Sequence, residues 1–412
     1  MLWLQNYSLL TSPIANPGLL ETAAPESAGE DNFRTLCHLL RLSLQSLTTD
    51  HDFLPHDPAA LFACAKSHRV AGLVARLFPS ASKDSNILEG LCATETDRNN
   101  LLGLINLAEL GKITNLFSAA NVPVLALKGP VLSLIAYENM GARSTGDLDI
   151  LVPPGDVRKS HDLLIELGYK LIIPEELPRE QVFERYLSRS PHFTYRKPNQ
   201  RVVVELHWRI FSNPFYFPVT FQEVYSSRVV VPISKFQLAT FAEEYFALHL
   251  ICHGAHHAWE RLFWLHDLAL LFKKEKIDPS RLLQTAERLG LERVVGQCFL
   301  LLHSIYQIPI PAAVKQLCQK SEVQFLARHA LRTCRIFGDH MAPSRSARLL
   351  YLLRLRKGSA YRRRVIEHEI LQLDKKDFLT VPYLTLPIYA ILRPVKVIKG
   401  KKEKTKSTSN SG

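Results

Sequence analysis

The spacing of hydrophobic positions divides the chain into two helical blocks and a mixed segment between them. Leu36, Leu40 and Leu44 recur at the helical period, as do the leucines between residues 101 and 116, so residues 31–118 are predicted to be helical. The same period returns over residues 236–372. The helices predicted there are 237–253, 262–273, 280–290 and 294–306.

The middle segment, residues 121–233, alternates short apolar runs with amphipathic stretches. Its predicted strands are 122–127, 148–152, 169–173, 192–197 and 202–210. Its predicted helices are 130–138, 155–167 and 180–187. Strands and helices mixed within one segment, with helical blocks on both sides, predict an α+β chain.

These patterns and the composition divide the 412 residues into five parts. The first, 1–30, is rich in Pro, Ala, Ser and Glu and is expected to be disordered. The others are a helical N-terminal region 31–118, a mixed central domain 119–233, a helical C-terminal domain 234–394 and a basic disordered tail 395–412. With 47% hydrophobic residues, the chain can bury one or two substantial cores.

Cysteine usage and the absence of long apolar runs predict a cytoplasmic protein. The seven cysteines are widely spaced and include no Cys-x-x-Cys, which argues against a disulfide framework and a structural zinc site. The N-terminal residues lack the basic and apolar regions of a signal peptide. No run reaches the roughly 18 apolar residues of a membrane span.

The net charge of +12 is concentrated near the C-terminus, in residues 354–364 and in the tail. Neither cluster has the interleaved aromatic residues of a stacking platform, so a solvated basic face is favoured over nucleic-acid binding. The apolar stretch 378–392, followed by lysines, suggests peripheral contact with an anionic membrane through residues 378–406. Packing of this stretch on the helical domain is the favoured alternative.

Two carboxylates stand two positions apart in the apolar run 146–152. Because side chains alternate along a strand, Asp147 and Asp149 are expected on one side, roughly 6 to 7 Å apart. A polar strand edge would explain an isolated pair of this kind. Two acids directed at one point repel each other, however, unless a cation lies between them.

The surrounding segments favour the cation. The strand 122–127 ends in Lys128-Gly129 and leads into a helix, an order that can form a phosphate cradle. The loop 141–146 brings a cation and two hydroxyls directly before Asp147. A third acid, Glu205, lies in the predicted strand 202–210. Three acids on strands and a glycine turn suit a metal-bound triphosphate.

These pieces resemble the polymerase-β-like nucleotidyltransferase superfamily, in its branch of uncharacterised nucleotidyltransferases. The matching motifs are Leu127-Lys128-Gly129, Gly141-x-Arg143, the 146–152 run, Val204-Glu205-Leu206-His207-Trp208 and a later block, 253–262. The resemblance implies a palm domain, a mixed sheet with flanking helices, over the central segment. Most of the superfamily has Gly-Gly or Gly-Ser where this chain has Lys128-Gly129-Pro130.

The resemblance also implies ligands and an activity. Asp147, Asp149 and Glu205 would bind two divalent ions, Mg²⁺ or Mn²⁺. The residues that would hold the triphosphate, from ATP or another nucleoside triphosphate, are Lys128, Gly129, Arg143, Ser144 and Gly146. The implied reaction transfers a nucleoside monophosphate to an unidentified hydroxyl and releases pyrophosphate. The alternatives are an inactive nucleotide-binding or scaffolding protein on the same fold, and, less favoured, a nucleic-acid-binding protein.

A histidine cluster follows in the C-terminal block. His249, His253 and His257 recur at one-turn spacing, and His266-Asp267 follows. A metal site of a phosphohydrolase is one interpretation, and a structural helix junction with Asp267 paired to Arg261 is another. The favoured interpretation is that an acceptor pocket beside the acids is lined by His207, His253, His257 and Arg261.

Overall fold

The computed structural model describes residues 28–48, 56–77, 87–137, 142–143, 146–233, 236–337 and 344–371. The first helix begins at Ala28, inside the segment 1–30 for which disorder is expected. Ser144, the basic tail 395–412 and the proposed membrane-contact segment 378–406 lie outside the described residues. Within those residues, no helix is long and apolar enough to cross a membrane.

Among the described residues, the N-terminal region contains four helices. They are α1 (Ala28–Gln45), α2 (Pro58–Ser67), α3 (Ala71–Ala75) and α4 (Ile87–Ala119). The carboxylate of Asp57 caps α2 by accepting a hydrogen bond from the Ala60 amide at 2.9 Å. Helix α4 buries Leu110, Ile113 and Phe117, whose spacing places them on one face, so this long helix lies against the core.

The centre of the molecule is a mixed five-stranded sheet in the order β1-β2-β5-β4-β3. Its strands are β1 (Leu125–Ala126), β2 (Leu148–Leu151), β3 (Lys170–Ile173), β4 (His192–Arg196) and β5 (Val203–His207). Strands β2 and β5 are parallel, and the other neighbouring pairs are antiparallel. The flanking helices are α5 (Pro130–Ala136), α6 (Val157–Glu166) and α7 (Glu180–Leu187). The α+β prediction is confirmed, and the assignment of the sheet as a polymerase-β palm stays a prediction.

Strands β4 and β5 form a hairpin whose tight turn sets the register. The Lys197 amide donates to the Val202 carbonyl at 3.2 Å, and Asn199 in the turn has a φ of 59°. This closure pairs Arg196 with Val203 and, four residues further along, His192 with His207. The turn therefore places two histidines side by side at the end of the hairpin.

A second hairpin replaces part of a predicted helix. After the short helix α8 (Phe221–Ser226), β6 (Val229–Ile233) pairs with β7 (Phe236–Thr240), and helix α9 (Glu243–His256) starts only afterwards. The helix predicted at 237–253 was therefore wrong over 237–240. Leu238 and Thr240 are buried on alternate positions, which is the strand period, and the Thr240 hydroxyl donates to the Ala126 carbonyl at 2.7 Å.

After β7, the described part of the C-terminal block is helical. After α9 come α10 (Leu262–Lys273), α11 (Pro279–Leu289), α12 (Glu292–Tyr306), α13 (Ala312–Cys318), α14 (Ser321–Phe337), α15 (Arg345–Arg354) and α16 (Ser359–Leu371). The chain turns between α9 and α10 around Trp259, which is fully buried. Gly254 leaves the room that this indole needs, since a Cβ there would lie 2.4 Å from the ring.

Candidate active site

Three carboxylates converge where β2 and β5 run in parallel. Asp149 is the register partner of Glu205, and Asp147 lies directly before β2. Each of the three acids has an oxygen within 4.8 Å of an oxygen of the others. The geometry brings together the three acids that the sequence motifs selected, at a spacing that a divalent cation can bridge.

The carboxylate of Asp149 is the most constrained of the three. Its side chain is 2% exposed, and Oδ1 lies 3.3 Å from the Lys128 ammonium and 3.4 Å from Nε2 of His207. Its second oxygen, Oδ2, is buried and has no hydrogen-bond partner among the described residues. A buried acceptor of this kind costs free energy unless a ligand satisfies it, so the donor set fits a bound cation.

His207 lies between two of the acids. Its Nδ1 faces the Arg209 carbonyl at 3.1 Å, and Nε2 lies 3.2 Å from Glu205 Oε2. Burial alone would lower the pKa of His207, but hydrogen bonds to Asp149 and Glu205 outweigh it and raise the pKa to about 9. His207 thus supplies positive charge beside the acids.

The carboxylates respond differently to this crowding. Repulsion from Asp149, and then burial, raise the pKa of Asp147 above its usual range. Burial would also raise the pKa of Asp149, but the nearby Lys128 ammonium and His207 outweigh it and lower the pKa. For Glu205, burial is again the largest influence, and the hydrogen bond from His207 reverses it, so that the pKa is lowered. Asp147 is therefore the acid on which unbalanced negative charge falls.

The glycine turn packs directly against the acids. Gly129 has a φ of 69°, and a Cβ at this position would lie 3.2 Å from the Asp147 carbonyl oxygen. The turn is held from the other side, because the Leu127 amide donates to the Asp149 carbonyl at 3.0 Å. Lys128 and Gly129 therefore border the carboxylates, as the motif order predicts, although their contact with phosphate is not tested.

Arg143 lies in a buried polar cluster. Its side chain is 6% exposed, and Nε donates to both oxygens of Asp267, at 3.0 and 3.1 Å. The Tyr137 hydroxyl donates to the same carboxylate at 2.6 Å. The predicted pairing of Asp267 with Arg261 was wrong, since Arg143 takes that place. The predicted role of Arg143 in holding triphosphate stays a prediction.

A cavity of about 180 Å³ opens beside Asp149 and Glu205. We call it the histidine cavity, after the imidazoles in its wall: His192, His207, His249, His253, His256, His257 and His368. Burial lowers the pKa of His249 to about 3 and that of His257 to about 4, and it lowers that of His253 well below its usual range. These three rings are neutral at pH 7, so their part of the wall is polar with little charge, whereas Lys128, His207 and the two acids make the rest of the wall charged.

The predicted acceptor residues are only partly brought together. His207, His253 and His257 all line the histidine cavity. Arg261 is not part of that lining, and its guanidinium lies 5.3 Å from the Phe337 ring centroid and 5.9 Å from that of Trp264. The acceptor role of all four residues stays a prediction.

His192 completes a second group of metal-binding side chains that the motifs missed. Nε2 of His192 lies 3.8 Å from Glu205 Oε1, and the His192 and His207 rings are 4.7 Å apart. In the described part of the chain, two groups of side chains can hold a metal ion. One consists of His192, Glu205 and His207, and the other of the three acids. The histidines of α9 belong to neither, so nothing in the geometry supports the phosphohydrolase interpretation.

A second cavity, of about 360 Å³, opens at Gly146, the residue before Asp147. We call it the basic cavity, because four cations line it: Lys66, Arg69, Arg98 and Arg201. Lys66 and Arg69 come from the end of α2, Arg98 from α4 and Arg201 from the turn before β5. Sequence motifs gave no indication of these residues, which are far apart along the chain.

Comparison with known families identifies the chain. A family model described as an uncharacterised nucleotidyltransferase matches residues 55–307, which is more than half of the sequence. The chain belongs to this family. The match includes the carboxylates and both cavities except for His368. No curated protein and no solved structure matches the chain.

Proposed function

We propose that this member of the nucleotidyltransferase family transfers a nucleoside monophosphate from a nucleoside triphosphate to a hydroxyl group on an acceptor. The observation that carries the proposal is the convergence of Asp147, Asp149 and Glu205, with an unsatisfied buried oxygen on Asp149. The family membership supports the reaction type. The central sheet would then be a polymerase-β-like palm.

The three carboxylates would hold two divalent ions, Mg²⁺ or Mn²⁺. When bound, such ions neutralise the triphosphate and make an acceptor hydroxyl more acidic. Of these residues, Asp149 and Glu205 would hold an ion on the side of the histidine cavity, and Asp147 would complete the set of ligands. Lys128 lies against Asp149 and would limit the charge that builds up when phosphates approach.

The acceptor would enter through the histidine cavity, which Asp149 and Glu205 border. Its hydroxyl oxygen would form a bond to the α-phosphorus while the bond between the α-phosphorus and the bridging oxygen breaks and pyrophosphate leaves. Glu205, with a side chain 24% exposed, is our candidate to take the hydroxyl proton. Neutral imidazoles of His253 and His257 would orient the acceptor by hydrogen bonds.

The test uses the purified chain with each of the four nucleoside triphosphates, labelled at the α-phosphate, and Mg²⁺ or Mn²⁺. We expect pyrophosphate release and transfer of label by the wild type. Asp149→Asn should lower the rate at least about a hundredfold, because loss of even an outer-shell partner costs 10 to 100-fold. The control is Asp162→Asn, at an exposed acid of α6, which should keep the wild-type rate.

A second candidate function rests on one contact. The Lys128 ammonium lies 3.3 Å from Asp149, where it can partly replace a metal ion, so the chain could bind nucleotide without turning it over. The same assay separates the two functions. Nucleotide binding with no pyrophosphate release, under every metal and nucleotide, would favour this candidate. An unchanged rate in Asp149→Asn would overturn the assignment of the acids.

A further inference from the structure

The basic cavity lies next to the proposed catalytic acids, and its wall carries an excess of positive charge. Gly146 forms part of the wall, and the next residue along the chain is Asp147. The charges of Arg69 and Asp147 interact across this boundary. Any anion bound among these cations would therefore approach the carboxylates from the Asp147 side.

The four cations differ in how far protein groups neutralise them. Arg98 donates to Glu95 at 2.8 Å, and the Lys66 ammonium lies 3.9 Å from the same carboxylate. In the described part of the chain, neither Arg69 nor Arg201 forms an ion pair. Glu95 thus partly neutralises Arg98 and Lys66. The charges of Arg69 and Arg201 remain available to a ligand.

The backbone at Arg69 determines which substitution can test the role of its side chain. Helix α2 ends in a motif in which the Arg69 amide donates to the Lys66 carbonyl at 3.0 Å and the Val70 amide to the Ala65 carbonyl at 2.9 Å. Arg69 stands in the left-handed position, with a φ of 57°, where glycine is the favoured residue. Glycine would adopt this conformation with less strain than arginine does. Arg69 can therefore be replaced by glycine, which removes the guanidinium without disturbing the end of α2.

We propose that the basic cavity binds the triphosphate of the nucleotide donor, with Arg69 and Arg201 as its principal phosphate ligands. The proposal rests on the nucleotidyl-transfer function proposed above and extends the donor site to α2 and α4. Guanidinium groups bind phosphate oxygens in pairs, which suits a chain of phosphates better than a single carboxylate. The donor and the acceptor would then occupy different cavities, with the carboxylates between them.

Two matched pairs of variants test this assignment. Arg69→Gly removes the charge and relieves the left-handed backbone, and its control is Glu275→Gly. Glu275 ends α10 in the same motif, with a φ of 52°, and lines neither cavity. Arg201→Gln removes the second charge, and its control is Arg179→Gln, at an exposed arginine outside both cavity walls.

The measurement is calorimetric titration with two probes in the presence of Mg²⁺: inorganic tripolyphosphate, and nucleoside triphosphates with a methylene group between the α- and β-phosphorus. We expect Arg69→Gly to weaken both probes at least about tenfold, and Arg201→Gln to weaken them several-fold, since each loses a charge-assisted hydrogen bond. Both controls should remain within twofold of the wild type. The melting temperatures of Arg69→Gly and Glu275→Gly should be no lower than that of the wild type. If Arg69 only stabilised the fold, Arg69→Gly would lower the melting temperature.

The outcomes separate this proposal from the function on which it rests. If the nucleotide analogues bind and all variants match the wild type, the donor lies elsewhere and the cavity assignment is overturned, while nucleotidyl transfer stands. If only tripolyphosphate binds, in a manner that depends on Arg69, the cavity is a polyphosphate site and the proposed donor is wrong. If neither probe binds the wild type, the cavity assignment is overturned.

Discussion

The two cavities that flank the carboxylates are built from opposite kinds of side chain. The basic cavity presents exposed guanidinium and ammonium groups on α2, α4 and the β4–β5 turn. The histidine cavity presents imidazoles, several of which are kept neutral by burial, together with Phe211 and Tyr216. The first carries an excess of positive charge, which suits a polyanion. In the second, Lys128 and His207 face the carboxylates, and the neutral imidazoles offer hydrogen bonds without charge.

This difference gives the proposed reaction a direction. A triphosphate attracted to the basic cavity would reach the acids from Gly146, whereas an acceptor in the histidine cavity would reach them from Glu205. The acids lie between the two cavities. Their mutual repulsion is offset by Lys128 and His207 next to Asp149, and by the charge of Arg69 on the Asp147 side. The arrangement resembles a donor side and an acceptor side separated by a metal site.

The largest expected effect comes from filling the histidine cavity. Ser212, half-buried in its wall, can be replaced by Trp, which occupies much of a space of about 180 Å³. We expect Ser212→Trp to lower label transfer about a hundredfold by displacing the acceptor, and to leave the affinity for the methylene nucleotide analogue within twofold. Rates of pyrophosphate release and calorimetric titration measure the two effects.

Ser212→Ala is the matched control and should retain transfer, because it adds no bulk. The division of the two cavities would be refuted by a Ser212→Trp variant that loses nucleotide affinity to the same extent as transfer. Such a result would mean that donor and acceptor share the histidine cavity.

Local sequence patterns were sufficient to find the acids. Asp147 and Asp149 are neighbours in one apolar run, and Glu205 lies in another, so strand alternation and motif order placed them together before any contact was known. His192 could also have been predicted from the sequence. The turn at Lys197–Val202 sets the hairpin register, and counting back from it pairs His192 with His207.

The rest of the site depends on contacts between distant parts of the chain. Arg69 and Arg201 share a wall although more than a hundred residues separate them, and no local period indicates such a meeting. Arg143 was expected at phosphate because of its loop, but its contact with Asp267 forms through the packing of α10. The strand β7 was missed because Phe236, Leu238 and Thr240 precede a long helical pattern that obscured their alternation.

A smaller effect concerns pH, to which arginines and three histidines outside the cavity walls respond differently. Arginines keep their charge throughout, whereas burial keeps these histidines neutral at pH 7. Burial lowers the pKa of His266 to about 3, as it does for His68, and lowers that of His329 to about 4. The unfolded chain, with pKa values near 6.5, therefore binds more protons than the folded chain below that pH. The contribution of these three histidines to stability is complete above pH 6.5 and falls as the pH drops toward 3. That of His207, whose pKa is raised, is complete below pH 6.5 and is lost as the pH rises toward 9.

The test is urea unfolding at pH 7.5 and pH 5.5. We expect each of these three histidines to cost the wild type about 1 kcal/mol between these two conditions, against a gain of about the same size from His207. His266, stacked on Tyr137 with ring centroids 6.1 Å apart, can be replaced by Phe, which does not titrate. The loss for His266→Phe should be smaller than that of the wild type by about 1 kcal/mol. Equal losses in both proteins would show that His266 is protonated in the folded state.

The smallest effect concerns the acids between the cavities. Because repulsion from Asp149 raises the pKa of Asp147, its ionised carboxylate destabilises the fold when no cation is bound. Asp147→Asn should therefore raise the free energy of unfolding by about 0.5 to 1 kcal/mol in the presence of a chelator. Added Mn²⁺ should reverse the order, because only the wild type gains stability from binding the ion. Asp162→Asn removes an exposed carboxylate outside the site. It should be as stable as the wild type both with a chelator and with Mn²⁺. A loss of stability in metal-free Asp147→Asn would contradict this prediction. It would mean that Asp147 stabilises the fold through a contact of its own, and that the charges of the three acids are already balanced without a metal ion.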